Sequence, residues 1–271
     1  MKTKLIALLA SCMLMATAAT AMAVPVPVGA TTFHWTNYEN HLSTTATSPQ
    51  TLSGVFSLDT ISPKGGSPTW AQGNGGQYLY GYFDSLLTTS AVGEKVGSQT
   101  TFSGGKLYVF ETTSVFDLTK TATIFSDLAA AGTLWLSADF VAGGDFTQPA
   151  STLVATITGG GNSGTTPNYP AIKGRGTSLL DVTGGTMFST FNTNSFTRFD
   201  GSGQFADLSM ENTFAIINNG TSPLVNTYKG WDVVSSDPID AVATPEPGTF
   251  ALLGAGLIGL GFFGRKRSRK A

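Results

Sequence analysis

Between Val24 and Ala243, apolar residues come in short runs broken every eight to twelve positions by Gly, Pro, Asn, Asp or Ser. Long stretches of helical spacing are missing. This pattern predicts an all-β sandwich or barrel, and we expect an antiparallel sandwich or jelly-roll-like body. Thr133–Val141 alternates most cleanly, with Leu134, Leu136, Ala138 and Phe140 on one face and Thr133, Trp135, Ser137 and Asp139 on the other. Lys106–Glu111 sets Leu107 and Val109 against Tyr108 and Phe110, and Val115–Leu118 is expected to continue it. Ser53–Asp59 puts Gly54, Phe56 and Leu58 on one face before a turn at Asp59–Pro63. Further strands are expected at Phe33–Tyr38, Tyr78–Phe83, Leu153–Thr158, Leu179–Val182, Met187–Phe191, Phe196–Phe199, Gln204–Met210, Thr213–Ile217 and Trp231–Val234. Asp200–Gly203 and Asn218–Gly220 carry hairpin-turn residues. One helix is predicted over Ile124–Ala131, where Ile124, Leu128 and Ala131 recur at spacings of four and three and Gly132 follows as a stop.

The two ends follow other patterns. Lys2 and Lys4 precede an apolar stretch over Leu5–Met15, and Ala21-Met22-Ala23 offers a small-x-small cleavage site. That is the layout of a secretory signal peptide, read here as residues 1–23 with a signal helix. Leu9-Ala10-Ser11-Cys12 offers a competing lipobox, but the apolar run before Cys12 is short and a second apolar stretch would remain after cutting there. Asp237–Thr244, with Pro238, is expected to be a linker after a domain spanning 24–236. The tail, 245–271, has three parts: Pro245-Glu246-Pro247, the uncharged run Phe250–Phe263, and the basic cluster Arg265, Lys266, Arg267, Arg269 and Lys270. The prolines favour extended backbone. The apolar run can enter a bilayer as a short transmembrane helix, and the basic cluster resists translocation and acts as a stop-transfer signal. Fourteen residues rise about 21 Å as a helix, short of a hydrocarbon core of about 30 Å. That length, with the five glycines from Gly254 to Gly264, suits a transient span. Gly254–Gly259 also matches G-x-G-x-x-G, but no strand and no βαβ unit frames it.

Charge and cysteine content sharpen this picture. The ends hold seven of the fifteen basic residues, leaving the body eight basic and sixteen acidic residues, a net charge near −8. An acidic body argues against nucleic acid and anionic membrane surfaces as ligands. Cys12 is the single cysteine, and cleavage after Ala23 removes it. The body is then held without disulfides, and cysteine nucleophiles and Cys-ligated metals are excluded.

Candidate chemistry is sparse. His34 and His41, with Glu39 nearby, fall short of a zinc set and are read as polar residues on and after an edge strand. Gly161–Thr165 around Ser163 misses the G-x-S-x-G elbow. Asp200 in its Gly-rich turn and Asp139 with Asp145 invite a loop calcium but lack the EF-hand pattern. Trp70, Tyr78, Tyr80 and Tyr82 could stack on sugar rings if exposed, although sheet packing is their commoner use. No cofactor, metal or catalytic set is expected.

The tripartite tail resembles the PEP-CTERM sorting signal, on the strength of Pro245-Glu246-Pro247, Phe250–Phe263 and Arg265–Lys270. The resemblance covers about a tenth of the chain. It implies recognition by an exosortase, a membrane-embedded cysteine peptidase-like enzyme that processes the tail near the motif. It also implies transient inner-membrane insertion and association with exopolysaccharide, biofilm or flocculation. The expected function is therefore a non-enzymatic exported cell-surface protein. Two alternatives remain: a lectin-like carbohydrate-binding module, recognised by coplanar exposed aromatics, and a secreted hydrolase, recognised by convergent carboxylates in a deep cleft.

Overall fold

The computed structural model describes residues 24–40, 42–46, 49–118, 124–160, 172–216, 231–245 and 257. Its long strands are β1 (Gly29–Glu39), β2 (Thr51–Pro63), β4 (Tyr78–Thr88), β5 (Gln99–Thr112), β6 (Thr133–Val141), β7 (Leu153–Gly159), β8 (Lys173–Gly184), β11 (Leu208–Ile216) and β12 (Val233–Ala243). Two-residue strands β3 (Trp70–Ala71), β9 (Phe196–Thr197) and β10 (Phe205–Ala206), helices α1 (Ile124–Ala131) and α2 (Phe188–Phe191) and a short 3-10 turn at Asn74–Gly76 complete the described elements. Every described pairing is antiparallel. In place of a sandwich or jelly roll of two sheets, one sheet returns on itself. It runs β1-β12-β11-β8-β6-β5-β4-β2, and β2 pairs again with β1. β6 and β7 share one position in this ring. β6 pairs Lys106–Glu111 of β5, and β7 pairs Gln99–Phe102 farther along the same strand. Closure of this kind leaves the main ring without the exposed edges an open sheet must protect.

Alternation along the strands fills the interior. Phe33, Trp35, Phe56, Leu58, Phe83, Leu107, Val109, Leu136, Phe140, Leu180, Leu208, Met210 and Ile239 belong to one buried cluster. Glycines on the inner wall let large rings lie across them. Gly54 pairs with Phe83 and Gly81 with Phe56, and a Cβ on either glycine would sit 2.7 Å or less from the opposing ring. A second buried cluster lies on the outer wall under α1, where Ile124 and Leu128 meet Val55, Tyr80 and Phe110. The helix is as expected, and the Gly132 amide closes it on Leu128 O at 3.1 Å.

The β6 alternation breaks at one residue. Val109 pairs with Leu136 and Phe110 with Leu134, so Trp135 is a bulge. Leu134 therefore packs outward in the helix cluster, while Trp135 turns into the main core beside Phe33 and Phe191, with ring centroids at 6.1 and 5.9 Å. The expected face assignment of these two residues is thus reversed.

Other expectations also change. Asp59–Pro63 is not a turn, because β2 continues through it, held by β1 and β3. Val115–Leu118 carries no strand, and Met187–Phe191 forms the turn and short helix α2 rather than a strand. In place of the separate strands expected at Gln204–Met210 and Thr213–Ile217, β11 runs unbroken over Leu208–Ile216. The largest correction concerns Asp237–Thr244. Through Ala243 it is not a linker but the second half of β12, paired with β1 from Gly29 to Glu39 and with β11. Pro238 is tolerated there because the β11 ladder is interrupted opposite it, between Met210–Ile239 and Thr213–Ser236. The signal helix, the apolar span, Gly161–Thr165, Asn218–Gly220 and His41 lie outside the described residues, apart from Leu257 within the span, which is helical and exposed. Among the described residues no helix is long and apolar enough to cross a membrane.

Candidate functional site

Two regions of the molecule carry functional interest, at opposite ends of the barrel. Gly29 pairs with Ala243, so β1 begins where β12 stops. Val24 is buried in the main core, and Thr31 Oγ1 donates to Pro27 O at 3.0 Å. The entry to the body is therefore packed against the barrel at this end. The exit is pinned as well. The Thr244 amide donates to Thr190 O at 2.9 Å, and its hydroxyl lies 3.2 Å from both Ser189 O and Thr190 O. Pro245 follows directly and is half-buried. The rest of the sorting residues, Glu246, Pro247, Arg265, Lys266, Arg267, Arg269 and Lys270, and the cleavage residues Ala21 and Ala23 lie outside the described residues.

The opposite end is a polar mouth on an otherwise apolar interior. On β1 the inward residues are Phe33 and Trp35, then Asn37 and Glu39. β12 contributes Ser235, paired with Asn37, and β11 contributes Asn212, which pairs with Gly176 of β8 and lies where a Cβ there would sit. Glu39 Oε1 accepts from Asn37 Nδ2 at 2.8 Å and from the Ser235 hydroxyl. Burial pushes the Glu39 pKa up to about 7, against the lowering effect of the Ser235 bond. Asn37 Oδ1, Asn212 Oδ1 and the Trp35 indole N–H are buried without a hydrogen-bond partner. A cavity of about 80 Å³ opens here, with Glu39, Glu94 and Asn212 among its polar walls and Leu52, Phe102, Leu153 and Ile157 among its apolar ones. A smaller cavity of about 20 Å³ lies below it, lined by Trp35, Asn37, Glu39 and Asn212.

Several residues singled out by sequence take structural parts. His34 is exposed on the outer wall while Glu39 points inward, so they do not converge. No group of three or more potential metal ligands occurs among the described residues. Trp70 and Tyr80 are buried. Tyr78 stacks on Tyr80 at 6.2 Å, and Tyr82 stacks on Phe125 of α1 at 4.6 Å. This row of tyrosines is the seat of a helix, not a coplanar sugar platform. Asp200 accepts from Arg198 at 2.7 Å and from the Ser202 hydroxyl at 2.6 Å; the Ser202 bonds hold its pKa down. Arg198 also donates to Ala142 O and lies 3.8 Å from Asp181, clamping the β9–β10 hairpin to the barrel wall. Burial raises the Asp145 pKa, but bonds from Thr147, Gln148 and Thr177 outweigh it and leave the carboxyl below its usual range.

Asn37, Asn212 and Ser235 went unrecognised in the sequence. One signal was present: Phe33, Trp35, Asn37 and Glu39 share a strand face, and two polar groups on an apolar face mark an interior site. Asn212 carried no such mark, because it lies between two segments read as separate strands.

The carboxylates of Glu39 and Glu94 do line one cavity, as a hydrolase would require. Its volume, about 80 Å³, is well below the roughly 300–1,000 Å³ of pockets that enclose drug-sized ligands.

Residues 243–268 match the family model of the PEP-CTERM protein-sorting motif. No curated protein and no solved structure matches the chain. The matched segment opens on the last residue of β12, so the sorting motif abuts a barrel strand with no spacer between them.

Proposed function

We propose that this chain, which carries a PEP-CTERM sorting motif, is an exported surface protein. Its body is delivered through a signal peptide ending at Ala23, and its tail is held and processed by an exosortase near Pro245-Glu246-Pro247. The observation that carries this reading is the match over residues 243–268, joined to an acidic body. The pinned exit at Thr244 supplies a geometric consequence. Six residues, 244–249, separate β12 from Phe250, and even fully extended they reach only about 20 Å. With the tail inserted, the Ala243 end of the barrel faces the membrane and the Glu39 mouth faces away from it. The enzyme works next to a folded wall.

The body then serves in an exopolysaccharide, biofilm or flocculation matrix. A shallow outer depression of about 430 Å³ supports contact with a polysaccharide: Lys173 and Arg175, the latter paired with Glu211 at 3.4 Å, lie there beside Thr213 and Ser236. Deletion of Pro245–Ala271 should mislocalise the protein, and intact mass of the surface-recovered form should show loss of residues 1–23 and of the tail. Recovery of the uncut chain at the surface, or unchanged localisation of the deletion, would overturn the sorting role. Charge reversal at Lys173 and Arg175 should release the protein from the matrix without changing its cleavage; retention of that variant would remove the polymer role alone.

A further inference from the structure

The barrel mouth makes a chemical selection that the sorting reading does not use. β1, β11 and β12 bring it a carboxyl, two side-chain amides and a hydroxyl, from Glu39, Asn37, Asn212 and Ser235, and both amide oxygens are without a partner. Glu39 Oε1 already receives Asn37 and Ser235, and Asn212 Oδ1 is 8% exposed as a residue, lines the mouth, and has no partner. Glu94 adds a second carboxylate to the wall. Among the described residues lining the two cavities, these two glutamates are the charged side chains, and none is cationic. Asn40 and Thr100 also line it, and the other walls are apolar, from Leu42, Leu52, Phe102, Leu153, Ile157 and Phe214 among others.

Size narrows the ligand further. A water-sized atom needs about 10–15 Å³ of such space, so the mouth, at about 80 Å³, takes roughly five non-hydrogen atoms. The inner cavity, at about 20 Å³, takes one water. A water there would accept from the Trp35 indole and donate to Asn37 Oδ1, matching the groups left open around it. Glu39 and Asn212 line both spaces, and Glu94 lines the outer one.

We propose that the mouth is a binding site for a compact primary alkylammonium ion, whose N–H groups are received by Glu39, Asn212 Oδ1 and Glu94 and whose short chain lies on the apolar wall. A hydroxyl ligand brings one donor and no charge to an acidic cavity. A quaternary ammonium brings charge and no donor. A primary ammonium brings both, and charge-assisted hydrogen bonds in a partly desolvated site are the strong ones. The raised pKa of Glu39, about 7, adds a signature. Near neutrality an incoming cation displaces the proton, so binding releases protons to the buffer. Glu94 is the other titratable group facing the same space.

The test is calorimetric titration of the full chain in non-ionic detergent with n-butylammonium chloride, against tetramethylammonium chloride, n-butanol and calcium chloride. Saturable one-to-one binding is expected for butylammonium, with heat that varies with buffer ionisation enthalpy near pH 7. Glu39→Gln, which keeps the shape of the side chain, should weaken it about 10- to 100-fold, and Asn212→Leu about 10-fold. Ala155→Phe, which fills the mouth from β7 beside Thr100 and Gly176, should abolish it. Thermal melts of each variant confirm folding, and should Asn212→Leu fail to fold, Glu39→Gln and Ala155→Phe decide the matter. Equal binding of tetramethylammonium or butanol, tighter binding of calcium that expels butylammonium, or no saturable heat at all would each overturn the proposal. None of these outcomes bears on sorting, which is read from cleavage and localisation.

Discussion

At the scale of single residues, the interior carboxyl is the group whose behaviour follows most directly from its surroundings. Glu39 is 5% exposed, and burial raises its pKa from 4.5 to about 7. The folded state therefore holds the proton more tightly than the unfolded chain does. Stability from this group is complete below about pH 4.5, declines as pH rises toward about 7, and is level above that. Glu39→Gln can still accept at its amide oxygen from Asn37 and Ser235, and it cannot ionise. Its stability should not decline through that window, and near pH 8 it should exceed the wild type by on the order of 2–3 kcal/mol. Urea unfolding of both proteins at acidic and alkaline pH measures the difference, and equal curves at both pH values would refute the buried-acid account.

At the scale of elements, side chains that replace missing ladder bonds decide where strands stop and turns begin. Asp207, 3% exposed, joins α2, β8 and the approach to β9. Its carboxylate accepts the amides of Val182 at 2.8 Å and of Thr193 and Asn194 at 2.7 Å. Asn194 takes a left-handed φ of 51°, which Asn tolerates better than most residues. Asp207→Ala strips the acceptor from three amides, and a loss of at least about 3 kcal/mol is expected, seen as a lower midpoint in thermal unfolding. The Trp135 bulge works at the same scale. One extra residue in β6 sends Leu134 to the helix and Trp135 to the core, so a single strand serves both hydrophobic clusters.

At the scale of the whole molecule, closure of the sheet joins the ends to the body. β12 lies between β1 and β11, so the segment just before the sorting motif is also a stave of the barrel. Truncation after Thr244 should leave cooperative unfolding intact. Truncation before Asp237 should abolish it, since β1 and β11 would lose their partner over half its length; circular dichroism melts distinguish the two. A cooperative melt from the shorter chain would show that β12 is dispensable. β1 starts and β12 ends at one rim, and the Glu39 cavity lies at the opposite one.

Some of this was determined by sequence alone. The tail was legible because its parts stand in order along the chain, prolines, then an uncharged apolar run, then a basic cluster, and that order is what the family model over residues 243–268 matches. The β class was legible from local spacing, and α1 from a period that no strand shares. The pairing partners were decided only in three dimensions, since antiparallel ladders join residues as far apart as Gly29 and Ala243 and no local pattern encodes which strands meet. For the same reason Asp237–Ala243, interrupted by Pro238 and carrying Asp237 and Asp240, reads locally as a linker and becomes a strand when two neighbours supply its hydrogen bonds. Beyond the polar end of the β1 face, the mouth is tertiary: Glu39, Asn212 and Ser235 come from three strands, and burial turns ordinary polar residues into a site.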